Sequence, residues 1–320
     1  MKTISLFSGA GGLDIGASLA GAEIICCVDT DHDSLETLKL NDSLDSTTFI
    51  HDDITNLTGE KILQECGYKK TEIDFLIGGP PCQSFSKNNY WTKSGEESLR
   101  RKQKMKEAAE TDGRVFLEEV TLPKVKKRVD VDEDLRTSLV MEYARLIDEI
   151  SPKGFLFENV LSITHPKNKK YLHEFIKFTE SCGYKVKELR LSSEAFGVPQ
   201  KRKRVFVIGH KEELPGDPKV THSDDSSLSL EPITTSKKAI HRYRLKKYFE
   251  EGEVIDGRWS EYLPDIPPGK NYKALTSWAG YKNPIFEAET RFWNFLLKLH
   301  PDKPSWTIAS SPGPWVGPFH

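Results

Sequence analysis

The stretch Ile4-Ser5-Leu6-Phe7-Ser8-Gly9-Ala10-Gly11-Gly12 joins a short apolar run to a glycine-rich turn. The residues that follow share one face at helical spacing: Leu13, Gly16, Ala17 and Ala20. The pattern predicts a strand, a glycine turn and a helix whose free N–H groups can bind a negative group. The alternative is merely a tight turn. Asp14 stands where the dinucleotide fingerprint G-x-G-x-x-G needs its third glycine, which weakens an oxidoreductase interpretation.

Two further apolar runs end at acidic residues. Residues 24–28 precede Asp29, and a run at 49–50 precedes Asp52 and Asp53. The carboxyl ends of strands meet at one edge of an α/β sheet, where ligands bind. An acid there can accept hydrogen bonds from ribose hydroxyls or from the amino group of a base, and the alternative for one of the second pair is a turn cap. The sequence therefore predicts a nucleoside cofactor.

The motif Gly78-Gly79-Pro80-Pro81-Cys82-Gln83-Ser84-Phe85-Ser86 follows another apolar run, 74–77, and places a cysteine at the same predicted sheet edge. The two prolines restrict the backbone, so the loop that carries the thiol should be stiff. A buried structural cysteine is the alternative. The polar neighbours Gln83, Ser84 and Ser86 favour a reactive thiolate, which needs partial exposure.

The later part of the predicted sheet brings an acid and a basic run. A helix over 139–150 leads to a buried strand at 154–157, which delivers Glu158 and Asn159 to the ligand edge. The segment Gln200-Lys201-Arg202-Lys203-Arg204 precedes a strand at 205–209. Such a run is often just a solvated turn, but arginine's planar fork also suits a base carbonyl or a phosphate.

Other motifs are predicted to be structural. Asp33-Ser34-Leu35-Glu36 has the form of a capping box at a helix start. A helix over 171–182 should end at Gly183. The cysteines assigned to packing are Cys26, Cys27, Cys66 and Cys182.

Composition limits the class of protein. Lys and Arg total 46 against 48 Asp and Glu, so a net charge of -2 gives no overall attraction to nucleic acid or to an anionic membrane. Five cysteines without a CxxC pair argue against a disulfide framework and a zinc site. No apolar run approaches the roughly 18 residues that would span a bilayer. We expect a soluble intracellular protein without metal and without membrane contact.

The chain of 320 residues has room for two domains. We predict a catalytic domain at 1–211 with a charged insertion at 87–135, a linker at 212–236 and a second domain at 237–320. The insertion is either a solvated surface segment or a mobile cover over a polyanion. The second domain contains five of the six tryptophans and a basic run at 237–247 with Tyr243 and Tyr248 interleaved. That run fits a nucleic-acid face, and an amphipathic helix with a solvated basic side is the alternative.

Four segments, taken in their order along the chain, resemble the cytosine-5 DNA methyltransferase family. They are Phe7-Ser8-Gly9-Ala10-Gly11-Gly12, Pro80-Pro81-Cys82-Gln83, Glu158-Asn159-Val160 and Gln200-Lys201-Arg202-Lys203-Arg204. The resemblance covers about residues 1–210. It implies an α/β, Rossmann-like S-adenosylmethionine-dependent methyltransferase domain with a mostly parallel sheet. It also implies a smaller, irregular target-recognition domain after the linker, which would bind duplex DNA.

The resemblance also assigns roles. Phe7 would stack on the adenine of S-adenosyl-L-methionine, Asp29 would hold its ribose, and Asp53 with Ile54 would take the adenine edge. The cofactor, with S-adenosyl-L-homocysteine as its product, would contact Phe7, Ser8, Gly9, Ala10, Gly11, Gly12, Leu13, Asp29, Thr30, Asp53, Ile54, Pro80 and Leu139. The implied catalytic residues are Cys82 as nucleophile, Glu158, Arg202, Arg204 and Pro81. The implied contacts to the substrate are Gln83, Ser84, Ser86, Asn159 and Gln200.

Two rival functions stay open from the sequence. An RNA cytosine-5 methyltransferase of the same fold would use the same catalytic residues, and a non-catalytic DNA-binding subunit could share the fold. The family's last arginine-bearing motif and returning helix are not found before His320. We therefore expect the recognition domain to be incomplete, with a second polypeptide as a candidate source of those motifs. The expected setting is the prokaryotic cytoplasm near the nucleoid, in a restriction-modification or similar system.

Overall fold

The computed structural model describes residues 1–41, 44–81, 133–225, 227–248, 258–286 and 294–308, with only the main chain at 133–138, 244 and 246. The described residues fall into two compact units. The first contains those of Met1–Tyr90, Lys127–Leu191 and Lys203–Asp217, and the second contains those of Ser192–Arg202 and Pro218–His320. The domain boundaries at 211 and 236 stay predictions.

The regular elements alternate between strand and helix over most of the first unit. In chain order the strands are β1 (Lys2–Leu6), β2 (Glu23–Asp29), β3 (Thr48–His51), β4 (Phe75–Gly78), β5 (Gly154–Val160), β6 (Lys185–Ser192), β7 (Gln200–Lys201), β8 (Lys203–His210) and β9 (Ser305–Trp306). The helices are α1 (Gly12–Leu19), α2 (His32–Lys39), α3 (Gly59–Cys66), α4 (Glu133–Ile150), α5 (Lys169–Ser181) and α6 (Ser236–Ile240).

Among the described residues, seven strands form one sheet in the order β3-β2-β1-β4-β5-β8-β6. β1 pairs in parallel with β2 and β4, β2 with β3 and β4 with β5, whereas β8 runs antiparallel to β5. This arrangement confirms the predicted α/β fold with a mostly parallel sheet. The strand order reverses between β1 and β4, and ligands of such sheets bind at that edge.

Successive side chains along each strand point to opposite faces of the sheet, so the core forms one cluster on each face. Cys26 belongs to the cluster that includes Tyr143 of α4 and Phe175 of α5, whereas Cys27 belongs to the opposite cluster with residues of α2. Both cysteines are fully buried, which confirms their packing role. Tyr143 lies within a group of aromatic rings, 6.0 Å from both Phe157 and Phe175 between ring centroids. Its hydroxyl donates to the carbonyl oxygens of β4 and β5, at 3.1 Å from Leu76 and 3.0 Å from Leu156.

Two local predictions are corrected. The N-cap of α2 is Asp31, whose carboxylate accepts a hydrogen bond from Ser34 N at 3.2 Å, so the capping box at 33–36 was wrong. The basic run at 237–247 does not form a continuous amphipathic helix, since α6 ends at Ile240 and two 3-10 turns follow. By contrast, α5 ends as predicted, before Gly183 at a φ of 88°.

The second unit is irregular in its described part. Its core is a cluster of apolar and aromatic side chains in which Trp259 packs against Phe286 and Phe295, with centroids 5.0 and 5.9 Å away. Most of its regular backbone consists of 3-10 turns, and β7 pairs in parallel with β9. Within the ranges given above, no helix is both long and apolar enough to cross a membrane.

Candidate active site

The glycine turn after β1 is shaped by two left-handed residues. Gly9 has a φ of 52° and Gly11, the N-cap of α1, has a φ of 84°. Glycine adopts this conformation without the penalty that a side chain would impose. A Cβ built at Gly9 or Gly12 meets no described atom within 4 Å, so space lies open beside the turn. The predicted helical face is only partly right: Leu13 and Ala17 are half-buried, but Gly16 and Ala20 are exposed and Asp14 is fully buried.

Phe7 leaves β1 in a strained conformation. Its φ of 56° is left-handed, which is unusual for a bulky residue and costs on the order of 1–3 kcal/mol. The next residue is fixed, because Ser8 N donates to Val28 O at 3.2 Å and its side chain is buried. The turn thus holds a half-buried aromatic ring at the carboxyl end of β1, next to the glycines.

The Asp29 carboxylate connects the end of β2 to the glycine turn. Oδ2 accepts from Gly9 N at 2.7 Å, and Oδ1 accepts from Asp31 N at 2.9 Å. Each carboxylate oxygen can accept a second hydrogen bond, so Asp29 keeps acceptor capacity for a ribose hydroxyl. Thr30 is exposed beside it, and its carbonyl oxygen lies 3.1 Å from His51 Nε2.

Both acids after β3 cap a turn. Asp53 Oδ1 accepts from Thr55 N and Oγ1, at 2.9 and 2.7 Å, and so caps the 3-10 turn Ile54–Asn56. Asp52 Oδ1 accepts from Asp53 N and Asn56 Nδ2, at 2.7 and 3.0 Å. The turn-cap alternative therefore holds for both residues. Because the Asp53 bonds use Oδ1, its other oxygen, Oδ2, is the one that suits the amino group of a base.

An ion pair lies where β5 and β8 meet. In their antiparallel register Glu158 stands opposite Phe206 and Val160 opposite Arg204, so Glu158 and Arg204 are diagonal neighbours on one face. Arg204 Nε lies 2.7 Å from Glu158 Oε1, and the two side chains are only 16% and 23% exposed. A pair this sheltered from water is held more firmly than a surface ion pair.

The chain that leads to Cys82 passes directly beside this pair. A Cβ built on Gly79 would lie 3.3 Å from Glu158 Oε2. Asn159, which is buried, donates from Nδ2 to Pro80 O at 3.3 Å. Pro80 is buried and Pro81 is half-buried. The structure thus brings the approach to the predicted nucleophile against the predicted acid.

Several predicted site residues are not part of this arrangement. Those that lie outside the described residues are Cys82, Gln83, Ser84 and Ser86. Arg202 is exposed and belongs, with Gln200, to the second unit, where Gln200 pairs with Ser305. Leu139 is half-buried on α4 and packs against the main core.

Sequence reasoning missed three residues near the site. Tyr143 ties β4 to β5, as described above. Arg145 on α4 bonds the turn after β3, and its only sequence signal is glutamate at positions 142 and 149. Asp14 accepts from the Cys27 thiol at 3.3 Å, and its Oδ2 has no hydrogen-bond partner among the described atoms. Burial raises the pKa of the Asp14 carboxyl above its usual value.

Comparison with known proteins gives the family. The profile described as C-5 cytosine-specific DNA methylase matches residues 1–103 and 127–283. Type II methyltransferase M.SacI of Streptomyces achromogenes is 32% identical over 339 residues, which cover 100% of this chain and 77% of that protein. Type II methyltransferase M.AquIA of Picosynechococcus sp. is 34% identical over 218 residues, covering 66% of this chain and 72% of that protein.

A solved structure shows the same fold. It is provisionally described as a DNA modification methyltransferase encoded within a prophage (E. coli), and it superposes with a TM-score of 0.58 at 21% identity. The match covers 96% of this chain and 82% of that one. On the family profile and the 32% identity to M.SacI, the chain belongs to the C-5 cytosine-specific DNA methylase family.

Proposed function

We propose that this DNA cytosine-5 methyltransferase acts on a cytosine flipped out of duplex DNA, through a covalent bond between Cys82 and carbon 6 of the base. The observation that carries the proposal is the sheltered Glu158–Arg204 ion pair, at 2.7 Å, beside the main chain that leads to Cys82. The enzyme's relatives M.SacI and M.AquIA are named Type II methyltransferases, which supports a role in a restriction-modification system.

The residues at the carboxyl ends of β1, β2 and β3 fit S-adenosylmethionine. We assign the Phe7 ring to the adenine face, Asp29 to the ribose, and Asp53 Oδ2 to the adenine amino group. The open space beside Gly9 and Gly12 and the amino end of α1 suit the amino acid part of the molecule. When bound, the cofactor supplies the methyl group that carbon 5 of cytosine takes up.

In the proposed reaction, Cys82, Glu158 and Arg204 each act on a different part of the base. The Cys82 thiolate adds to carbon 6, and the electron pair of the 5,6 double bond makes carbon 5 nucleophilic. Protonated Glu158 donates a hydrogen bond to ring nitrogen 3 and stabilises the charge that this addition creates, while Arg204 orients Glu158 and faces the base carbonyl. After carbon 5 gains the methyl group, a solvent base takes its proton, and the electrons of that C–H bond re-form the double bond as the Cys82 thiolate leaves. A base inside the duplex is out of reach, so it must be flipped, as it is by methyltransferases as a class.

The second unit and partner molecules belong to the proposal as well. We assign residues 237–320 to target recognition, where the basic run at 237–247 would contact phosphates and the aromatic cluster would support the reading surface. The second polypeptide expected from the sequence stays a prediction, and the relatives described above give it no support.

The test is a duplex that carries 5-fluorocytosine at the target position. Fluorine cannot leave carbon 5 as a proton does, so the enzyme should remain bonded to DNA through Cys82 after denaturation. Cys82→Ala should lose the adduct and turnover but keep DNA affinity, since other contacts provide it. An RNA duplex of the same sequence serves as the control for nucleic acid type. Turnover on normal DNA without an adduct on the fluorinated duplex would overturn the covalent step.

A second variant tests the acid. Glu158→Gln should slow methyl transfer far more than it weakens S-adenosylmethionine binding, because the partner of Glu158 is the base in the transition state. Equal losses in the two measurements would assign Glu158 to folding instead.

A further inference from the structure

Arg145 projects from α4 to the turn that follows β3. Its NH2 group donates to Leu57 O at 2.9 Å and to Ile54 O at 3.2 Å. The same guanidinium is held by two carboxylates of its own helix: Nε lies 2.8 Å from Glu142 Oε2, and NH1 lies 2.7 Å from Glu149 Oε1. Glu149 Oε2 in turn accepts from Gly59 N at 2.7 Å, at the start of α3. Residues 54–59 are therefore fixed to α4 at both ends.

This arrangement differs from an ordinary helix ion pair. Exposed pairs at i,i+3 and i,i+4 contribute only a few tenths of a kcal/mol and position nothing else. Here the arginine side chain is 31% exposed, and two of its hydrogen bonds go to main-chain carbonyls 88 and 91 residues away in sequence. Arginine's planar fork can serve two carboxylates and the carbonyls at once, which a lysine ammonium cannot do with the same geometry.

The segment that Arg145 fixes begins at the proposed adenine contact. Asp53 is the N-cap of the turn Ile54–Asn56, so a shift of the Ile54 carbonyl moves the Asp53 side chain with it. Ile54 and Leu57 are buried, at 4% and 1% exposure. Without Arg145 the carbonyl oxygens of both residues would lose a charged hydrogen-bond donor. The turn would then rearrange to replace those hydrogen bonds.

We propose that Arg145 is a positioning residue that sets the cofactor's adenine selectivity by holding the turn that carries Asp53 and Ile54. This inference rests on the proposed cofactor site. Arg145 does not contact the base itself. It fixes the direction of Asp53 Oδ2, and therefore how strongly the enzyme distinguishes a 6-amino group from a 6-carbonyl oxygen, which a carboxylate repels.

The test compares the affinities of S-adenosylhomocysteine and S-inosylhomocysteine, in which a 6-carbonyl oxygen and a ring N1–H replace the 6-amino group and the unprotonated N1 of adenine. Calorimetry gives the dissociation constant of S-inosylhomocysteine divided by that of S-adenosylhomocysteine. This ratio is measured for wild type, Arg145→Met and Arg145→Lys. We expect Arg145→Met to lower the ratio about tenfold, which is the loss of one hydrogen bond of about 1.4 kcal/mol. Arg145→Lys, which keeps the charge, should fall between wild type and Arg145→Met. It also carries the test if Arg145→Met fails to fold.

Arg190→Met is the matched control, since Arg190 pairs with Glu188 at 2.8 Å on β6, away from the turn. It should leave the ratio unchanged. If Arg145→Met binds both molecules more weakly but with an unchanged ratio, Arg145 has only a structural role and the inference is overturned. Wild type that binds neither molecule would instead contradict the cofactor assignment under the proposed function.

Discussion

Gly79→Ala is the most direct test of the approach to the proposed nucleophile. The substitution adds one methyl group whose carbon would lie 3.3 Å from Glu158 Oε2 and 3.9 Å from Glu158 O. Ordinary van der Waals contact begins at 3.4 Å, so the carboxylate or the loop must move by a few tenths of an ångström. Arg204 holds Oε1 of the same carboxylate at 2.7 Å, so the movement disturbs the ion pair.

The size of the effect follows from that distance. A misplacement of about 1 Å in an active site costs roughly 100-fold in rate, so a few tenths predicts a loss of kcat of about three- to tenfold. The free energy of unfolding should change by less than about 1 kcal/mol, because the nearest atom is the end of a side chain and not packed backbone. S-adenosylhomocysteine affinity should not change.

The adjacent glycine gives the matched control. A Cβ on Gly78 would lie 2.6 Å from Tyr143 Cε2 and 2.9 Å from Leu6 O, both in the packed interior. Gly78→Ala should therefore destabilise the fold by about 1–3 kcal/mol. Urea unfolding and single-turnover methyl transfer measure the two effects. If Gly79→Ala keeps full kcat, or loses as much stability as Gly78→Ala, the assigned contact between the loop and Glu158 is wrong.

Three more predictions concern the core, a buried acid and the basic run. Tyr143→Phe leaves the carbonyls of Leu76 and Leu156 without their shared donor and should lower the free energy of unfolding by about 1–3 kcal/mol, measured in urea. Burial raises the folded-state pKa of Asp14 above its unfolded value, so its contribution is most favourable below the unfolded pKa and is lost as pH rises through the folded pKa. The stability of Asp14→Asn relative to wild type should therefore increase from pH 4 to pH 8, and a pH-independent difference would contradict this. Neutralising the lysines and arginines at 237–247 should reduce the salt dependence of DNA affinity by about 0.9 in log–log slope for each phosphate that the protein no longer neutralises. An unchanged slope would make that run a solvated surface.

The sequence predicted the strands best where both faces are buried. β2 and β4 are nearly continuous apolar runs, as expected of strands covered on both sides, and β5 begins with one at Phe155–Phe157. β6 carries a weaker signal, because no residue of Lys185–Ser192 is fully buried at the sheet's edge. The start of α2 was misplaced since Asp29, Asp31 and Asp33 alternate, and only the fold shows which one faces the helix end.

For the candidate site, the sequence predicted which residues lie at the ligand edge of the sheet but not the contacts between them. The glycine turn, Asp29, Asp53 and Glu158 carry local signals, because they follow apolar runs. The Glu158–Arg204 contact depends on the register of β5 against β8, which no local pattern specifies. Arg145 depends on α4 crossing the turn after β3, a contact between residues about 90 positions apart. Long-range pairings of this kind are fixed by packing rather than by local sequence.

Tyr143 and Arg145 stand two residues apart on α4, yet one bonds β4 and β5 and the other bonds the turn after β3. Loosening α4 would therefore release, in the same event, the strands that carry the proposed base site and the turn assigned to adenine. In hydrogen-exchange terms these segments form one cooperative unit, so the amides of residues 54–57 and 75–77 should share an opening free energy. Under the proposed assignments, the enzyme cannot loosen its cofactor site through this helix without also loosening its base site.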